Sequence, residues 1–335
     1  MPPTVTEAQP RIAAATAVSR EARRGLTAAR KSLSPWLFYD AVGSDLFEQI
    51  TRLPEYYLTR TERALFAAHA DRIVASAAGS APLTIVELGA GTATKTGILL
   101  EAALRRQPEL LYQPVDVSRS SLDEARTNLE ATLPGLTVAP QLANYTIELL
   151  HFERPPAAHI LALYIGSSIG NFTPSEAVDV LAILRAQLEP GDRLLLGTDL
   201  APGPHKPVAS LLAAYNDAAG VTSAFNRNML IRLNRELGTD FSPTCFTHRA
   251  IWNPTESRIE MHLESRIAQT VHLPADAESP ALTIDFAAGE TIHTENSYKF
   301  TKPAIEALLS PAGFRLTDAL EDPNHLFAVT VATAI

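Results

Sequence analysis

Residues 82–92 read Pro-Leu-Thr-Ile-Val-Glu-Leu-Gly-Ala-Gly-Thr, a short apolar run with β-branched side chains that ends in a glycine-rich turn. From about Lys95 to Arg106, leucines and alanines then recur at helical spacing. This change of period predicts a strand, a tight turn and a helix in direct succession. The same strand-to-helix pattern can be searched for along the rest of the chain.

The same alternation of strands and helices continues downstream. Further strand-like runs lie at 111–118, 137–140, 160–165 and 193–198. A helical pattern covers 121–133, and another begins at Thr173, an N-cap that Pro174 and Glu176 complete as a capping box. Because such alternation is typical of right-handed βαβ units, residues 61–200 are expected to form a Rossmann-like, doubly wound, mostly parallel α/β sheet.

The pattern changes after Asp199. Two helical stretches come first, and segments with the period of two that is typical of antiparallel strands follow. They are 208–219 and 225–236 for the helices, and 259–267, 270–273 and 282–286 for the strands. We therefore predict a second, smaller α+β domain, with a final strand at 326–332.

The composition excludes several classes of protein. The 335 residues carry 28 Lys and Arg against 37 Asp and Glu, and the formal charge of −9 disfavours a nucleic-acid binder. With 46% hydrophobic residues the chain can bury a core. Cys245 is the lone cysteine, and no apolar run approaches the roughly 20 residues that a bilayer requires. We expect a cytoplasmic monomer without a nucleic-acid or membrane partner, with residues 1–30 as an amphipathic leader helix.

The glycine turn is the first candidate for a ligand site. Gly89 and Gly91 let a backbone pass close to a bulky ligand, because a Cβ would clash there. A dinucleotide fingerprint would place its third glycine where this chain has Thr94, so a pyrophosphate is weakly supported. Alone, such a turn fits an ordinary strand-to-helix connection as well as a ligand loop.

Polar residues at two neighbouring strand ends strengthen the ligand interpretation. Asp116 ends the next predicted strand, where a carboxylate can accept both hydroxyls of a bound ribose. Asn144 and Tyr145 follow the third strand and offer an amide and an aromatic face to an adenine. An acidic strand end beside a glycine loop without the phosphate fingerprint favours S-adenosylmethionine (SAM) over NAD.

Several long strings point to a family. They are Trp36-Leu-Phe-Tyr-Asp-Ala-Val-Gly-Ser-Asp-Leu-Phe, Ile50-Thr-Arg-Leu-Pro-Glu-Tyr-Tyr, Gly166-Ser-Ser-Ile-Gly-Asn-Phe-Thr-Pro, Gly197-Thr-Asp-Leu, Ala214-Tyr-Asn-Asp-Ala-Ala-Gly-Val-Thr, Phe225-Asn-Arg-Asn and Phe286-Ala-Ala-Gly-Glu. From about residue 25 to the C-terminus, the chain resembles the histidine Nα-methyltransferases of ergothioneine biosynthesis, the EgtD family. Strings of this length in one order are far more specific than a glycine loop.

The resemblance implies a class I SAM methyltransferase fold with a substrate-binding domain. We divide the chain into an N-terminal helical segment that contributes to the substrate site (1–60), the SAM-binding Rossmann-like core (61–200), an inserted α+β substrate-binding domain (201–300), and a C-terminal helix and strand that return to the core (301–335).

The resemblance also implies how SAM is bound. In the family, a glycine loop, a lysine and a strand-end aspartate hold SAM, and they match Gly89, Lys95 and Asp116. An Asp-Phe pair normally contacts the adenine, whereas this chain has Asn144-Tyr145. Because asparagine both donates and accepts hydrogen bonds, we expect a retuned adenine contact.

The implied reaction is the trimethylation of the α-amine of L-histidine to hercynine, the first step of ergothioneine biosynthesis. Asn171 and Tyr215 match the residues that hold the substrate carboxylate, and Tyr56, Glu295 and Ser297 match those that grip the imidazole. The remaining implied site residues are Tyr39, which lies near the α-amine and is the catalytic candidate, and Met261 and Asn296, which belong to the substrate-binding set.

The chemistry of imidazole agrees with these roles. Glu295 can accept from one ring nitrogen while the hydroxyl of Ser297 partners the other, and their spacing on a strand puts both on one face. An unmatched partner in a closed pocket costs about 1–3 kcal/mol, enough to reject phenylalanine or leucine roughly ten- to a hundredfold. Without the resemblance, an ordinary solvated carboxylate and a turn hydroxyl would be the preferred interpretation.

Two rival functions share these features. One is a SAM-dependent N-methyltransferase of tyrosine or tryptophan, and the other is a non-catalytic module that senses SAM or an amino acid. The histidines are scattered without the spacing of metal ligands, so we predict SAM as cosubstrate and no metal.

Overall fold

The structure is a computed structural model that describes residues 8–146, 148 and 150–335. Of the predicted leader helix, residues 1–7 lie outside the described residues. The helices are α1 (Ala8–Leu26), α2 (Ala41–Thr51), α3 (Tyr57–Ala78), α4 (Gly97–Leu104), α5 (Arg119–Thr132), α6 (Pro174–Arg185), α7 (Val208–Ala214), α8 (Val221–Leu237) and α9 (Lys302–Leu309). Short 3-10 helices lie at Pro35–Phe38, Ser168–Asn171 and Pro243–Cys245.

The strands of the described residues run through the whole chain from Leu83 onward. They are β1 (Leu83–Leu88), β2 (Leu110–Asp116), β3 (Leu136–Val138), β4 (Gln141–Leu142), β5 (His159–Tyr164), β6 (Arg193–Asp199), β7 (Phe246–Asn253), β8 (Arg258–Ser265), β9 (Gln269–Leu273), β10 (Leu282–Phe286), β11 (Thr291–Tyr298), β12 (Phe314–Glu321) and β13 (Phe327–Ala334).

The central sheet has the order β12-β13-β6-β5-β1-β2-β3, and β4 pairs with β2. Strands β1, β2, β3, β5 and β6 pair in parallel, whereas β13 lies antiparallel to both β6 and β12. The predicted doubly wound, mostly parallel α/β sheet is therefore confirmed. The order reverses between β1 and β5, and this switch point is where ligands bind in such sheets.

Burial explains why these segments became strands. All six residues of β1 and all eight of β13 are buried, as expected for strands with helices on both faces. The predicted capping box of α6 is present: Thr173 and Glu176 each accept from the other's backbone N–H. The structure adds β12, a strand that was not predicted from the sequence.

The chain divides into two compact units. The first unit comprises the described part of Met1–Arg52 together with Leu212–Trp252 and Ile259–Asn296. The second comprises Leu53–Leu211, Asn253–Arg258 and Ser297–Ile335. The division at 60, 200 and 300 expected from the sequence stays a prediction.

In the second unit, side chains from β1, β2, β5, β6 and β13 pack with α6 and α9 into one apolar cluster. In the first unit, β11, β8 and β7 form a three-stranded sheet in that order, and β9 and β10 form an antiparallel pair. The rings of Phe38 and Phe225 stack at 4.4 Å between centroids, which joins the first 3-10 helix to α8.

The boundaries of α7 and α8 differ from their predictions. Helix α7 ends at Ala214, although the pattern extends to residue 219, and α8 begins at Val221 instead of residue 225. The reason is Asp217, whose carboxylate accepts hydrogen bonds from the backbone N–H groups of Val221 and Thr222 and so starts a new helix. Among the described residues, every helix is too short or too polar to cross a membrane.

Candidate active site

The glycine loop after β1 is fastened to the end of β2. Gly89 and Gly91 have φ angles of +68° and +53°, which favour glycine. The backbone N–H groups of Gly89 and Ala90 both donate to the carbonyl oxygen of Val115. A Cβ on Gly91 would meet open space, so conformation rather than crowding by the protein requires glycine there. The loop therefore leaves room for a ligand above it.

Asp116 holds this loop from the end of β2. Its Oδ2 accepts from the N–H of Gly91 at 2.9 Å, and its Oδ1 accepts from the N–H of Ser118 at 2.8 Å. Burial raises the pKa of Asp116, while these backbone hydrogen bonds act in the opposite direction. Each carboxylate oxygen keeps a second lone pair, which suits the two hydroxyls of a ribose.

Lys95 forms a buried ion pair with Glu62 of α3. The Glu62 side chain has no exposed surface, and that of Lys95 is 21% exposed. Glu62 also accepts from the N–H of Gly166 at 2.8 Å, in the loop after β5. The ammonium of Lys95 is thereby held between the ends of β1 and β5, at the switch point of the sheet.

Tyr145 packs on the glycine loop from the other side. Its hydroxyl lies 3.5 Å from the position that a Cβ on Gly89 would occupy, and its ring meets Tyr164 edge to face at 5.7 Å. Burial raises its pKa to about 12. The neighbouring Asn144 uses its Oδ1 to accept from the N–H and the hydroxyl of Thr146. Its side-chain NH₂ group is therefore the donor that it offers to a ligand.

Three predicted substrate residues also belong to the second unit. Tyr56 is buried immediately before α3, and Asn171 ends the 3-10 helix Ser168–Asn171. A Cβ on Gly170 in that helix would lie only 2.9 Å from the carbonyl oxygen of Tyr298, so the helix packs tightly on the segment that begins with Ser297. Asn171 and Ser297 are thus carried by neighbouring backbone segments.

The other predicted substrate residues belong to the first unit. Tyr39 is flanked by Phe47 at 5.8 Å and Phe225 at 5.9 Å between ring centroids, both in edge-on geometry. Met261 and Glu295 are buried on β8 and β11. The buried Oδ1 of Asn296 has no hydrogen-bond partner among the described residues, which suits an acceptor for a bound donor.

Tyr215, also in the first unit, is positioned by a buried histidine. The Nε2 of His248 lies 2.8 Å from the carbonyl oxygen of Tyr215, and its Nδ1 lies 2.8 Å from the side-chain nitrogen of Asn226. Because the carbonyl oxygen can only accept, Nε2 carries the proton and Nδ1 accepts from Asn226. Burial lowers the pKa of His248, which favours this neutral form.

The comparisons with known proteins identify the family. A family described as histidine-specific, SAM-dependent methyltransferases matches residues 18–334. The histidine N-alpha-methyltransferase of Mycolicibacterium smegmatis is 46% identical over 321 residues, which cover 95% of each chain. That of Mycobacterium tuberculosis is 41% identical over 94% of each chain. The N-methyltransferase fsqC of Aspergillus fumigatus is 30% identical over 91% of this chain and 80% of its own.

The chain belongs to the histidine-specific, SAM-dependent methyltransferases. The predicted family and the predicted enzyme class, a SAM-dependent transferase, are therefore confirmed. The roles assigned above to individual residues of this methyltransferase stay predictions.

Each unit of the methyltransferase also contains polar residues whose roles were not predicted from the sequence. They are Glu62, His248, Asn226, Asp199 and Lys299, and their side chains contact predicted site residues or one another. Asp199 lies in the Gly197-Thr-Asp-Leu string, which contributes to the family resemblance, but no role was predicted for this aspartate. Asn226 likewise lies in the Phe225-Asn-Arg-Asn string. Glu62, His248 and Lys299 carried no local motif, because they meet their partners only through the tertiary fold.

Among the residues that the structure describes, one group of possible metal ligands occurs, and it lies in the first unit of the methyltransferase. Glu260, His262 and His293 offer ligand atoms that lie within 4.8 Å of one another. The two imidazoles stack with centroids 4.8 Å apart and planes inclined by 23°. Because the lone pairs of a ring lie in its plane, stacked rings direct them side by side and not toward a common ion. This geometry fits ring packing better than metal coordination.

Proposed function

We propose that this protein transfers three methyl groups from SAM to the α-amine of L-histidine and so produces hercynine for ergothioneine biosynthesis. The observation that carries the proposal is membership in the histidine-specific family, with 46% identity to a protein named histidine N-alpha-methyltransferase. The burial of Glu295 and Ser297, two positions apart on β11, supports the choice of an imidazole substrate.

At the cosubstrate end, the chain supplies fixed polar groups. SAM contributes a methyl group on a positively charged sulfur. Asp116 accepts from the ribose hydroxyls, and Asn144 donates to the adenine while Tyr145 contacts its ring. The ammonium of Lys95, held by Glu62, pairs with the carboxylate of the amino-acid end.

At the substrate end, the proposed contacts align the amine with the methyl group. Asn171 and Tyr215 hold the carboxylate, and Tyr56, Glu295 and Ser297 hold the ring. Tyr39 lies near the amine. Methyl transfer is an in-line displacement, so alignment is the main contribution of the protein. The amine must be neutral, and we infer that its proton leaves to water, favoured by repulsion from the nearby sulfonium.

A product assay across amino acids tests this function. The purified protein is incubated with SAM and each of the twenty amino acids, and the products are analysed by mass spectrometry. We expect histidine to gain up to three methyl groups. Methylated tyrosine or tryptophan in place of histidine would support the first rival function. SAM binding without any product would support a sensing module.

A pair of variants tests the substrate contact. Glu295→Ala should weaken histidine use sharply and leave SAM affinity unchanged in calorimetry, since Glu295 is proposed to contact the ring alone. Glu278→Ala is the matched control, because Glu278 is an exposed carboxylate paired with exposed Arg20. If histidine affinity is the same in both variants, the assignment of the imidazole contact is wrong.

We further propose that the reaction needs no metal and that the protein works as a cytoplasmic monomer without nucleic-acid or membrane partners. A displacement at a sulfonium needs alignment rather than Lewis-acid activation. The net charge of −9 disfavours a nucleic-acid partner. The single cysteine, Cys245, fits the reducing environment of the cytoplasm. Activity that survives exhaustive chelation, and a monomeric mass in light scattering, are the expected results.

A further inference from the structure

Ser297 is in contact with a buried lysine that has no assigned role. Lys299 follows it by two residues, and both belong to the second unit. The side chain of Lys299 has no exposed surface. Its Nζ donates to the Oγ of Ser297 at 2.8 Å and lies 2.8 Å from Oδ2 of Asp199. Ser297, a proposed substrate-binding residue, is therefore hydrogen-bonded directly to the buried ammonium of Lys299.

The cluster around Asp199 pairs two ammonium groups with one carboxylate, and a second carboxylate, that of Asp322, also acts on Lys206. Asp199, at the end of β6, is fully buried, accepts from the hydroxyl of Tyr57 at 2.9 Å, and pairs with both Lys299 and Lys206. Burial, with the repulsion of Lys299, lowers the pKa of Lys206 to about 8 although Asp199 acts in the opposite direction. A further cation placed next to Lys299 would be repelled by its ammonium group.

This contact directs the hydroxyl of Ser297. A hydroxyl has one O–H donor and two lone pairs, and Lys299 engages one of the lone pairs. A hydroxyl that accepts from an ammonium is polarised and becomes a stronger donor itself. A protonated imidazole would bring a second cation next to Lys299, whereas a neutral imidazole presents a lone pair for the hydroxyl.

We propose that Lys299 is a positioning residue that makes Ser297 the hydrogen-bond donor to the unprotonated ring nitrogen of neutral histidine. The inference rests on the proposed function. It assigns the discrimination between imidazole and other rings to a Lys299–Ser297 pair, with Asp199 holding the ammonium in place.

Lys206 provides a matched control within the same cluster. It is as deeply buried, pairs with the same carboxylate, and otherwise donates to the carbonyl oxygens of Leu200 and Leu326. In Lys299→Met, Asp199 keeps Lys206 and Tyr57 as partners, so its negative charge remains paired. Lys299→Met and Lys206→Met thus each remove one ammonium group that pairs with Asp199. Lys299→Met also removes the hydrogen bond to Ser297.

The test compares ring analogues in the full-length enzyme. Initial rates are measured with L-histidine and with the two isomeric analogues in which a C–H replaces one ring nitrogen. In both analogues the remaining ring nitrogen carries hydrogen, so neither offers an acceptor. The wild type should prefer histidine by about ten- to a hundredfold in kcat/KM over the analogue that keeps the ring N–H donor and has C–H in place of the acceptor nitrogen. Lys299→Met should lose most of this preference through a raised KM for histidine, and Ser297→Ala should do the same. Lys206→Met should retain the preference.

The outcomes distinguish failure of the proposed function from failure of the role assigned to Lys299. If the wild type leaves histidine unmethylated, the proposed function is wrong and this inference is overturned with it. If the wild type methylates histidine but Lys299→Met keeps the wild-type preference, or weakens histidine and the analogue equally, only the inference is overturned. Lys299→Leu, which removes the same ammonium group, carries the same expectation should the Met variant fold poorly.

Discussion

Glu62 lies directly against Gly197, so that any Cβ at that glycine would collide with Oε1 of the carboxylate. The same carboxylate binds the ammonium of Lys95 and the N–H of Gly166. One buried side chain of α3 thereby organises the loops after β1 and β5, and it explains why a glycine is required within β6.

The first prediction concerns this carboxylate. Glu62→Gln removes the charge that holds Lys95, and we expect SAM affinity to fall by about tenfold and the free energy of unfolding by about 1–3 kcal/mol, since one partner of a buried pair is lost. Calorimetric titration with SAM and chemical denaturation measure the two effects. Glu101→Gln, an exposed position on α4, should leave both unchanged. Unaltered SAM affinity in Glu62→Gln would show that Lys95 needs no support.

The sequence predicted the elements whose signals are local. The β1 strand, its glycine turn and the Asp116 strand end follow from hydrophobic period and from glycine alone, and the structure has all three. The capping box at Thr173 is another such case, because its partners lie three residues apart. Local chemistry therefore sufficed for the parallel strands of the sheet and for the glycine loop after β1.

Contacts between distant segments could not be predicted in this way. Strand β1 lies between Glu62 and its partner Lys95, and in the sequence Glu62 looks like any other charged residue of a helix. The polar partners of His248 are 22 and 33 residues away. Lys299 resembles any lysine near a strand end until Asp199 is brought beside it. Positioning groups of this kind act through tertiary contacts and have no sequence pattern of their own.

The second prediction is a pH dependence of stability that arises from Glu87. Burial raises the pKa of this carboxyl from 4.5 to about 7, although hydrogen bonds from Tyr112 and Thr96 oppose the shift. The folded state therefore binds more protons than the unfolded state between these values. The stabilisation is present below pH 4.5, and up to about 3 kcal/mol is lost as the pH rises through 7.

Glu87→Gln removes this titration. The free energy of unfolding of the variant should depend less on pH between 5 and 8 than that of the wild type, as measured by denaturant titration at each pH. Glu109→Gln is the control, because Glu109 is exposed and should preserve the wild-type slope. Parallel pH profiles for the wild type and Glu87→Gln would contradict the assignment.

The third prediction concerns His248 as the support of Tyr215. His248→Gln can still donate to the carbonyl oxygen of Tyr215 and accept from Asn226, whereas His248→Leu leaves that carbonyl oxygen without its donor. We expect the leucine variant to lose about 1–3 kcal/mol of stability and to show a raised KM for histidine, and the glutamine variant to retain most of both.

Acid sensitivity distinguishes the same two variants from the wild type. The pKa of His248 is lowered from 6.5 by burial, so below about pH 6.5 the unfolded state binds more protons than the folded state. Stability contributed by neutral His248 is therefore present above pH 6.5 and falls as the pH drops below it. Neither variant should show this component of the acid loss. An identical acid slope in all three proteins would mean that folding leaves the pKa of His248 unchanged.

The last prediction concerns the adenine contact, where this chain has Asn144-Tyr145 and the family pattern implied by the resemblance has Asp-Phe. The Oδ1 of Asn144 is already bonded to Thr146, so asparagine offers only its NH₂ group to the ligand. Asn144→Asp would keep the bond to Thr146 but replace the NH₂ donor with an oxygen, which a ring nitrogen of adenine cannot use as a partner. We expect SAM to bind about tenfold more weakly to both Asn144→Asp and Asn144→Ala, as measured by calorimetry. Tyr145→Phe keeps the ring against Gly89 and should leave affinity nearly unchanged. Tighter binding in Asn144→Asp would show that the exocyclic amine of adenine, and not a ring nitrogen, faces this position.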